Sequence, residues 1–426
     1  MTVGGLTIFS RAFDALMHLY VAYLFGTSDA LDAFIIAYLI PFFTINVISG
    51  AFHAAIIPTY IQVREDSGRQ AAQHLYSNMM VISIGLIGLL MIVMAVISRY
   101  VIPVIGSGFD EQKLALTRSL FITLLPVLLF NGVGRIWISI LNADERFKLA
   151  ATVPAVRSVT TIIFLFLLTP FWGIYAFSSG IMIGSMAEAI VLSLGVKRQK
   201  LAIIPRWYGM NRDITTVIKQ FLPVAAGAML MAGTDFVDQS MAAMLGAGSV
   251  STLNYANKII MFILVVSSGS LGTVVFPYFS KMTAAKDYRS VIHTLKVYSG
   301  FIIIFSIPMT VLFWFFSEPL VRILFERGVF TTSDTHHVAI VLAVYALQIT
   351  FYLLGILIVR LLSAMRENNI LMYSTLLSLP LNIFLNYIRM KSMGISGIAL
   401  STVLVYLTAF LFLSYSLHRK MREVIV

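Results

Sequence analysis

Charged side chains interrupt several long apolar stretches of this 426-residue sequence, and they are the residues with the clearest chemical potential. Arg11, Asp14 and His18 are spaced three and four residues apart, so a helix would place them on one face. Asp235 and Asp238 share a helix face for the same reason. An ionisable group in hydrocarbon costs at least about 2.5–3.5 kcal/mol on insertion scales, so it must face a cavity or a partner. We therefore predict a polar ligand site.

Further charges lie in other apolar stretches. Lys258 falls in one of them, the counterpart stretch earlier in the chain begins with Asp32, and Arg135, Arg157 and Glu188 are the remaining deep charges. One alternative is that oppositely charged pairs only pin neighbouring helices together. We favour a substrate site because so many charges converge on one expected cleft. The predicted site consists of Arg11, Asp14, Asp32, Asp235, Asp238 and Lys258, with His18, Arg135 and Arg157 as secondary members.

The composition indicates that membrane-spanning helices hold these charges. Hydrophobic residues make up 59% of the chain and charged residues 12%, whereas a soluble domain is about a quarter charged. A helical span needs about 20 apolar residues, and the chain offers about twelve such stretches. Strands of an outer-membrane barrel would alternate polar and apolar residues, but stretches such as 79–98 are apolar on every side. The predicted fold class is an all-α polytopic membrane protein.

The loops indicate orientation. We predict spans at 3–25, 33–61, 76–98, 116–141, 150–170, 173–196, 221–246, 252–280, 292–317, 336–364, 370–388 and 394–417. Most lysines and arginines lie in one set of alternate loops, which the positive-inside rule assigns to the cytoplasm together with both termini. The net charge of +11 is therefore attributed to membrane topology and not to nucleic-acid binding.

Short segments recur at an offset of about 220 residues, which indicates two copies of a six-helix unit. Trp172-Gly173-Ile174 recurs as Met393-Gly394-Ile395, and four other short matches fall at the same offset. An even number of helices inserts both copies the same way up, as in parallel-repeat transporters. We predict a six-helix lobe at 1–197, a basic cytoplasmic linker at 198–220 and a second six-helix lobe at 221–426, with substrate bound between the lobes.

Other motifs argue against an enzyme. There is no cysteine, so thiol chemistry and thiolate metal sites are excluded. Asp334, His336 and His337 resemble metal ligands but are expected to be solvated or to cap a helix in an outer loop. Gly246 and Gly248 lack the context of a nucleotide loop. We expect no catalytic residue, metal or cofactor, and transport driven by a monovalent coupling ion or the membrane potential.

Several segments resemble the MviN/MurJ family, the lipid II flippases of the multidrug/oligosaccharidyl-lipid/polysaccharide exporter superfamily. The most specific similarity is Gly-Ser-Val-Ser at 248–251 followed by Leu-Asn-Tyr-Ala at 253–256 and Phe-Pro at 276–277. Phe9-Ser10-Arg11, the segment 140–147 and the segment 324–330 also fit the family. The resemblance covers essentially the whole chain. It implies a V-shaped, two-lobed bundle in the bacterial inner membrane that flips a polyprenyl-diphosphate-linked saccharide outward.

The chain departs from the family pattern at several basic positions. Met17 stands at the second arginine of the first helix, Ile45 and Asn46 stand near an arginine pair of the second, and Lys258 stands at another arginine. The resemblance implies that family members have two further helices after the twelfth. We find no such stretches in this sequence, so we expect a divergent member that lacks them. Arg11 and Lys258 keep the family's basic character and are expected to bind the diphosphate.

Three alternatives stay open at this point. The chain could flip another lipid-linked polysaccharide unit, act as a cation-coupled multidrug antiporter through Asp235 and Asp238, or serve as a non-transporting scaffold for envelope assembly. The expected partners are the lipid-linked saccharide, membrane lipids and, for a scaffold, envelope-synthesis proteins.

Overall fold

A computed structural model describes residues 3–199 and 203–425, and every regular element in these ranges is an α-helix. Residues 200–202 of the predicted linker and the outermost terminal residues lie outside the described ranges. The helices are α1 (Val3–Phe25), α2 (Asp29–Ile105), α3 (Glu111–Leu124), α4 (Pro126–Ala143), α5 (Phe147–Thr152), α6 (Pro154–Trp172), α7 (Tyr175–Arg198), α8 (Arg212–Ala242), α9 (Ser249–Ala284), α10 (Tyr288–Phe325), α11 (Thr332–Ala346), α12 (Gln348–Ala364), α13 (Asn368–Met393) and α14 (Ile395–Ile425).

Polar caps begin several of these helices. A helix forms its backbone hydrogen bonds internally, which it must do in hydrocarbon because lipid offers no hydrogen-bond partner. The N–H groups of the first turn still lack such a bond. The side chain of Ser28 accepts a hydrogen bond from the Leu31 amide at the start of α2. Asp110 accepts one from the Lys113 amide at the start of α3, at 2.8 Å. The apolar runs therefore define the helices, and short polar turns define where they begin.

Three predicted spans are each divided into two helices. The breaks fall at Leu125, Val153 and Leu347, between α3 and α4, α5 and α6, and α11 and α12. Pro126 and Pro154 follow the first two breaks and have no backbone N–H to donate. Each pair remains long and apolar enough to be one candidate span.

The second and third predicted spans form one element of 77 residues, α2. The loop expected between 61 and 76 is helical except near Gly68, whose φ of 84° and ψ of 174° interrupt the helix. Glycine tolerates this positive φ because it has no Cβ. The polar residues around Gly68 therefore extend two helices instead of forming a long loop.

Ten candidate membrane spans occur among the described helices. α1 is not among them, and α2 counts once despite its interruption. The prediction of a helical polytopic membrane protein is confirmed, while the number of twelve spans stays a prediction.

The described chain forms two compact units, of which the first ends at Ala232 and the second begins at Gly233, inside α8. The predicted repeat has a counterpart in the backbone. Gly173 has φ 52° and ψ −130° before α7, and Gly394 has φ 58° and ψ −134° before α14. Glu145 and Arg366 share a left-handed φ of 58° and 63°. The broken pair α3–α4 likewise corresponds to the broken pair α11–α12. The lobe boundaries at 197 and 221 stay a prediction.

Much of the predicted linker is held by the first unit. Ser77 of α2 donates a hydrogen bond to the Arg206 carbonyl at 2.7 Å, and Asn78 accepts one from the Tyr208 amide at 2.7 Å. The ring of His74 stacks on that of Tyr208 with centroids 3.9 Å apart. From Arg212 onward the predicted linker is already helical, as the first part of α8.

Candidate functional site

The polar face of α1 begins where this helix is fixed to α5. Ser10 donates a hydrogen bond from its hydroxyl to the Ala151 carbonyl at 2.6 Å. Arg11 follows directly and is exposed, while Asp14 and His18 are half-buried one and two turns later. Since α1 is one uninterrupted helix, the predicted shared face of these three residues is present.

Close packing of α6 against α7 brings a second arginine to a carboxylate. A Cβ on Gly184 would lie 2.7 Å from the Arg157 carbonyl oxygen, so only glycine permits this approach. A Cβ on Gly180, one turn earlier, would lie 3.3 Å from Thr161 Cα, and the Thr161 hydroxyl donates to the Gly180 carbonyl at 3.1 Å. One turn beyond Gly184, Glu188 places its Oε2 3.8 Å from Arg157 Nη1.

α4 contributes the third arginine and is positioned by two further glycines. A Cβ on Gly132 would lie 2.3 Å from the Ile87 side chain of α2, and one on Gly134 would lie 3.3 Å from Leu192 of α7. Arg135 follows these two glycines and is exposed. It lies close enough to Glu188, Arg157, Tyr38 and Arg11 for electrostatic interaction with each of them.

These helices together form a group of ionisable side chains within the first unit, which we call the basic cluster. Asp14 belongs to it because it interacts electrostatically with Arg157 and with the hydroxyl of Tyr38. Three arginines face two carboxylates, so the cluster has one excess positive charge when all five are ionised. Such an arrangement suits an anion, since charge-assisted hydrogen bonds from guanidinium groups are strong and directional. The basic cluster consists of Arg11, Asp14, Tyr38, Arg135, Arg157 and Glu188.

Part of this cluster is predicted by the sequence. Arg11 and Asp14 are main members of the predicted site, and Arg135 and Arg157 are secondary members. Glu188 is predicted only as a deep charge outside the site, and Tyr38 is not predicted. The spacing of Gly180, Gly184 and Glu188 by four residues was the available signal, because it places the carboxylate on the face of α7 that approaches α6.

Asp32, another predicted site residue, lies apart from these contacts in the first turn of α2. It is completely buried, and its Oδ2 accepts from Lys113 Nζ of α3 at 3.0 Å. Lys113 also pairs with Asp29. This geometry favours joining the starts of α2 and α3 over contacting a ligand.

An apolar groove of about 340 Å³ lies on α1 and α6, the two helices that carry Arg11 and Arg157. Its lining consists of Tyr20 from α1 and Ile162, Ile163, Phe166 and Leu167 from α6. Ile162 follows Arg157 by five residues, a rise of about 7.5 Å along a helix. Charged and apolar contacts for one amphiphile therefore lie along the same pair of helices.

The second unit contains a different polar group, centred on Asp238 of α8. This carboxylate is only 4% exposed and accepts three hydrogen bonds. Asn382 and Asn386 of α13 donate to Oδ1 at 2.9 and 2.6 Å, and Thr402 of α14 donates to Oδ2 at 2.8 Å. Asn386 Oδ1 is buried without a hydrogen-bond partner among the described residues. We call these four residues the Asp238 cluster.

The other predicted residues of the second unit, Asp235 and Lys258, are less buried than Asp238. Asp235 precedes Asp238 by about one turn, interacts with it electrostatically and is exposed. Lys258 is half-buried on α9. One carboxylate, two amides and a hydroxyl supply hard oxygen atoms, the ligands that alkali and alkaline-earth cations prefer.

Asp334, His336 and His337, in the first turns of α11, form no metal centre in the described structure. Asp334 and Thr331 make a reciprocal capping box at the start of α11, so the expectation of a helix cap is confirmed. His336 faces Glu318 at 3.8 Å. Within the described ranges, no three His, Cys, Asp or Glu residues are grouped as metal ligands would be.

Comparison with protein families and known sequences gives consistent matches along the chain. A family model described as "Lipid II flippase MurJ" matches residues 21–425. A probable lipid II flippase MurJ of Buchnera aphidicola subsp. Schizaphis graminum is 26% identical over 425 residues, covering 99% of this chain and 83% of that protein. Another from Thermotoga maritima is 26% identical over 410 residues, covering 96% and 82%.

Solved structures show the same relationship. A lipid II flippase MurJ in an inward closed conformation superposes with a TM-score of 0.86 at 25% identity, covering 99% of this chain and 89% of that one. An inward-facing multidrug resistance transporter of the MATE family has a TM-score of 0.82 at 14% identity, covering 97% and 95%, and shares the fold. Because the family model matches nearly the whole chain, this protein is a member of the MurJ family of lipid II flippases.

Proposed function

We propose that this chain moves a polyprenyl-diphosphate-linked saccharide of the lipid II type from the inner to the outer leaflet of the bacterial cytoplasmic membrane, by alternating access. Family membership and the names of the relatives support this substrate and a role in peptidoglycan synthesis. Both termini are assigned to the cytoplasm because the loops on that side are rich in lysine and arginine. Envelope-synthesis proteins are proposed as further partners.

The basic cluster is the observation that carries the mechanism. A diphosphate diester has about two negative charges, and moving them through a low-dielectric region requires neutralising cations. Arg11, Arg135 and Arg157 provide such cations inside otherwise apolar helices, with Asp14 and Glu188 limiting the excess charge. A site with a small excess of positive charge can bind the diphosphate and still release it.

Arg11 and Lys258 are proposed to contact the diphosphate during the transport cycle. Both keep the family's basic character, and they lie in the first and the second unit respectively. Arg11 is exposed and Lys258 half-buried, so neither charge is sealed away from an arriving ligand. The apolar groove on α1 and α6 would hold the part of the isoprenoid chain next to the diphosphate.

A monovalent cation such as Na⁺ is proposed to occupy the Asp238 cluster. Rotation of the Asn382 and Asn386 amides would turn their oxygens toward the ion, next to the Asp238 carboxylate and the Thr402 hydroxyl. Amide rotation exchanges nitrogen and oxygen at almost no steric cost, and Asn386 Oδ1 has no other partner in the described structure. Ion binding there would supply coupling energy without ATP.

The experiment is translocation in cells that depend on this chain after depletion of their own flippase. An impermeant reagent that modifies the saccharide head group measures how much lipid II reaches the outer leaflet. Arg11→Ala and Lys258→Ala should each reduce translocation at least about tenfold, because a lost charge–diphosphate contact is worth about 1.4 kcal/mol or more. Lys258→Arg should keep much of the activity.

Arg419→Ala is the matched control, because this arginine is 73% exposed at the end of α14. It should express, insert and transport like the unchanged protein. Normal translocation by the Arg11→Ala, Lys258→Ala double variant would contradict the proposed roles of these two residues.

A further inference from the structure

The pair Arg157–Glu188 is close without being a hydrogen-bonded ion pair. The nearest nitrogen and oxygen atoms are 3.8 Å apart, beyond the range of a hydrogen bond. Glu188 Oε2 is buried and has no hydrogen-bond partner among the described residues. A buried carboxylate oxygen left without a donor is costly, so natural proteins seldom keep one without a purpose. Attraction between the charges holds this pair, and an incoming ligand can replace it.

The two side chains differ in their access to a ligand. The Arg157 side chain is 23% exposed, whereas that of Glu188 is 10% exposed. The guanidinium is therefore the more accessible of the two groups to an arriving anion. Arg135 lies near both groups and carries the same charge as Arg157.

The pair is not needed to join α6 to α7. Gly180 and Gly184 already bring these helices into backbone contact, and the Thr161 hydroxyl bonds to the Gly180 carbonyl at 3.1 Å. A purely structural ion pair would be expected to have better geometry, because only then does the attraction offset the desolvation of both charges. The long distance and the unsatisfied oxygen favour a role in binding.

We propose that Glu188 is an internal counter-anion, which neutralises Arg157 and Arg135 while no substrate is bound and competes with the diphosphate for them. Its charge weakens binding and thereby allows release. With the carboxylates ionised, a bound diphosphate leaves the basic cluster with about one excess negative charge. Replacing Glu188 by neutral glutamine removes that excess, so the ligand binds more tightly and leaves more slowly. This proposal rests on the basic cluster being the diphosphate site.

The test measures binding of farnesyl diphosphate to the purified full-length protein by calorimetry, together with lipid II translocation in vesicles. Glu188→Gln should tighten the dissociation constant on the order of tenfold, the effect of removing one like charge at partial burial. It should also lower the maximal translocation rate. If Glu188 had only a structural role, Glu188→Gln would instead bind farnesyl diphosphate more weakly, or would not combine tighter binding with a lower translocation rate.

Control variants distinguish an effect specific to Glu188 from a general effect of removing a carboxylate. Glu65→Gln removes an exposed carboxylate of the same unit and should leave both quantities unchanged. In an Arg157→Gln background, which should itself bind more weakly, Glu188→Gln should lose part of its tightening effect, because only Arg135 then remains for Glu188 to neutralise. If Glu188→Gln does not accumulate, Glu188→Asp, with its charge drawn back by one methylene, should tighten binding partially.

Two results would overturn the inference or its basis. Unchanged or weaker binding in the folded Glu188 variants, with Arg157→Gln still weakening binding, rejects the counter-anion but keeps the diphosphate site. Unchanged binding in Arg157→Gln and in Arg11→Ala rejects the proposed diphosphate site itself, and with it the counter-anion.

Discussion

Two buried carboxylates of this protein, Asp238 and Glu188, differ in how fully they are hydrogen-bonded. Asp238 accepts three hydrogen bonds from neighbours on α13 and α14. Glu188 has an oxygen without any hydrogen-bond donor among the described residues. A carboxylate with three hydrogen bonds is held in place, whereas an unsatisfied charge next to an arginine can exchange partners. We therefore propose ion binding for the Asp238 cluster and competition with the substrate for Glu188.

Asp238→Asn tests the first assignment. An asparagine turns at least one N–H group toward existing donors, so the free energy of unfolding should fall by about 1–3 kcal/mol. The variant should also lose any stabilisation by Na⁺, because the central charge is missing. Thermal unfolding of the solubilised protein in sodium chloride and in choline chloride measures both effects. Asp66→Asn, at an exposed position, is the matched control, and an Na⁺-dependent shift that survives in Asp238→Asn would refute the ion site.

At the scale of elements, glycine spacing positions the charges of the first unit. Gly180 and Gly184 lie on the face of α7 that meets α6, and Gly132 and Gly134 let α4 approach α2 and α7. Small residues dominate such contacts in membranes, where dispersion and backbone proximity replace the hydrophobic effect. Arg135 directly follows Gly134, Glu188 follows Gly184 by four residues, and Gly184 packs against the backbone of Arg157, so helix packing fixes the separation of these three charges.

Gly184→Ala should disturb this packing and the site together. The new Cβ would lie 2.7 Å from a backbone oxygen of Arg157, so the helices must separate. We expect a loss of stability of about 1–3 kcal/mol, as for other overpacked contacts, and weaker binding of farnesyl diphosphate. Gly88→Ala is the control, because no atom lies within 4 Å of its added Cβ. It should be neutral or stabilising by up to about 1 kcal/mol. Equal stability and binding in the two variants would contradict this account of α6 and α7.

The elements also show what the sequence could and could not predict. Apolar runs and positive-φ turns such as Gly173 and Gly394 follow from local chemistry, so the helices and their repeat could be predicted from the sequence. The helical continuation around Gly68 and the docking of Tyr208 on His74 depend on tertiary contacts, which periodicity does not reveal. Similarly, spacing placed Asp235 and Asp238 on one helix but could not distinguish the exposed residue from the buried one.

At the scale of the whole molecule, the family resemblance seen in short motifs is confirmed by a match across residues 21–425 and by the MurJ fold. The same findings support a transporter and not an enzyme. The losses at Met17, Ile45 and Asn46 do not remove the positive character of the first unit, because Arg135 interacts electrostatically with both Arg157 and Arg11. We interpret this as a redistribution of the diphosphate contacts over different helices.

Flipping by this chain is measured most directly with the purified protein in liposomes whose lipid II is initially protected in the inner leaflet. An impermeant enzyme added outside modifies each head group that arrives. We expect protein-dependent exposure of lipid II, abolished when Arg11, Arg135 and Arg157 are all replaced by glutamine in a folded, inserted protein. Exposure at the same rate in liposomes without protein, or with the three arginines replaced, would contradict flipping through the basic cluster.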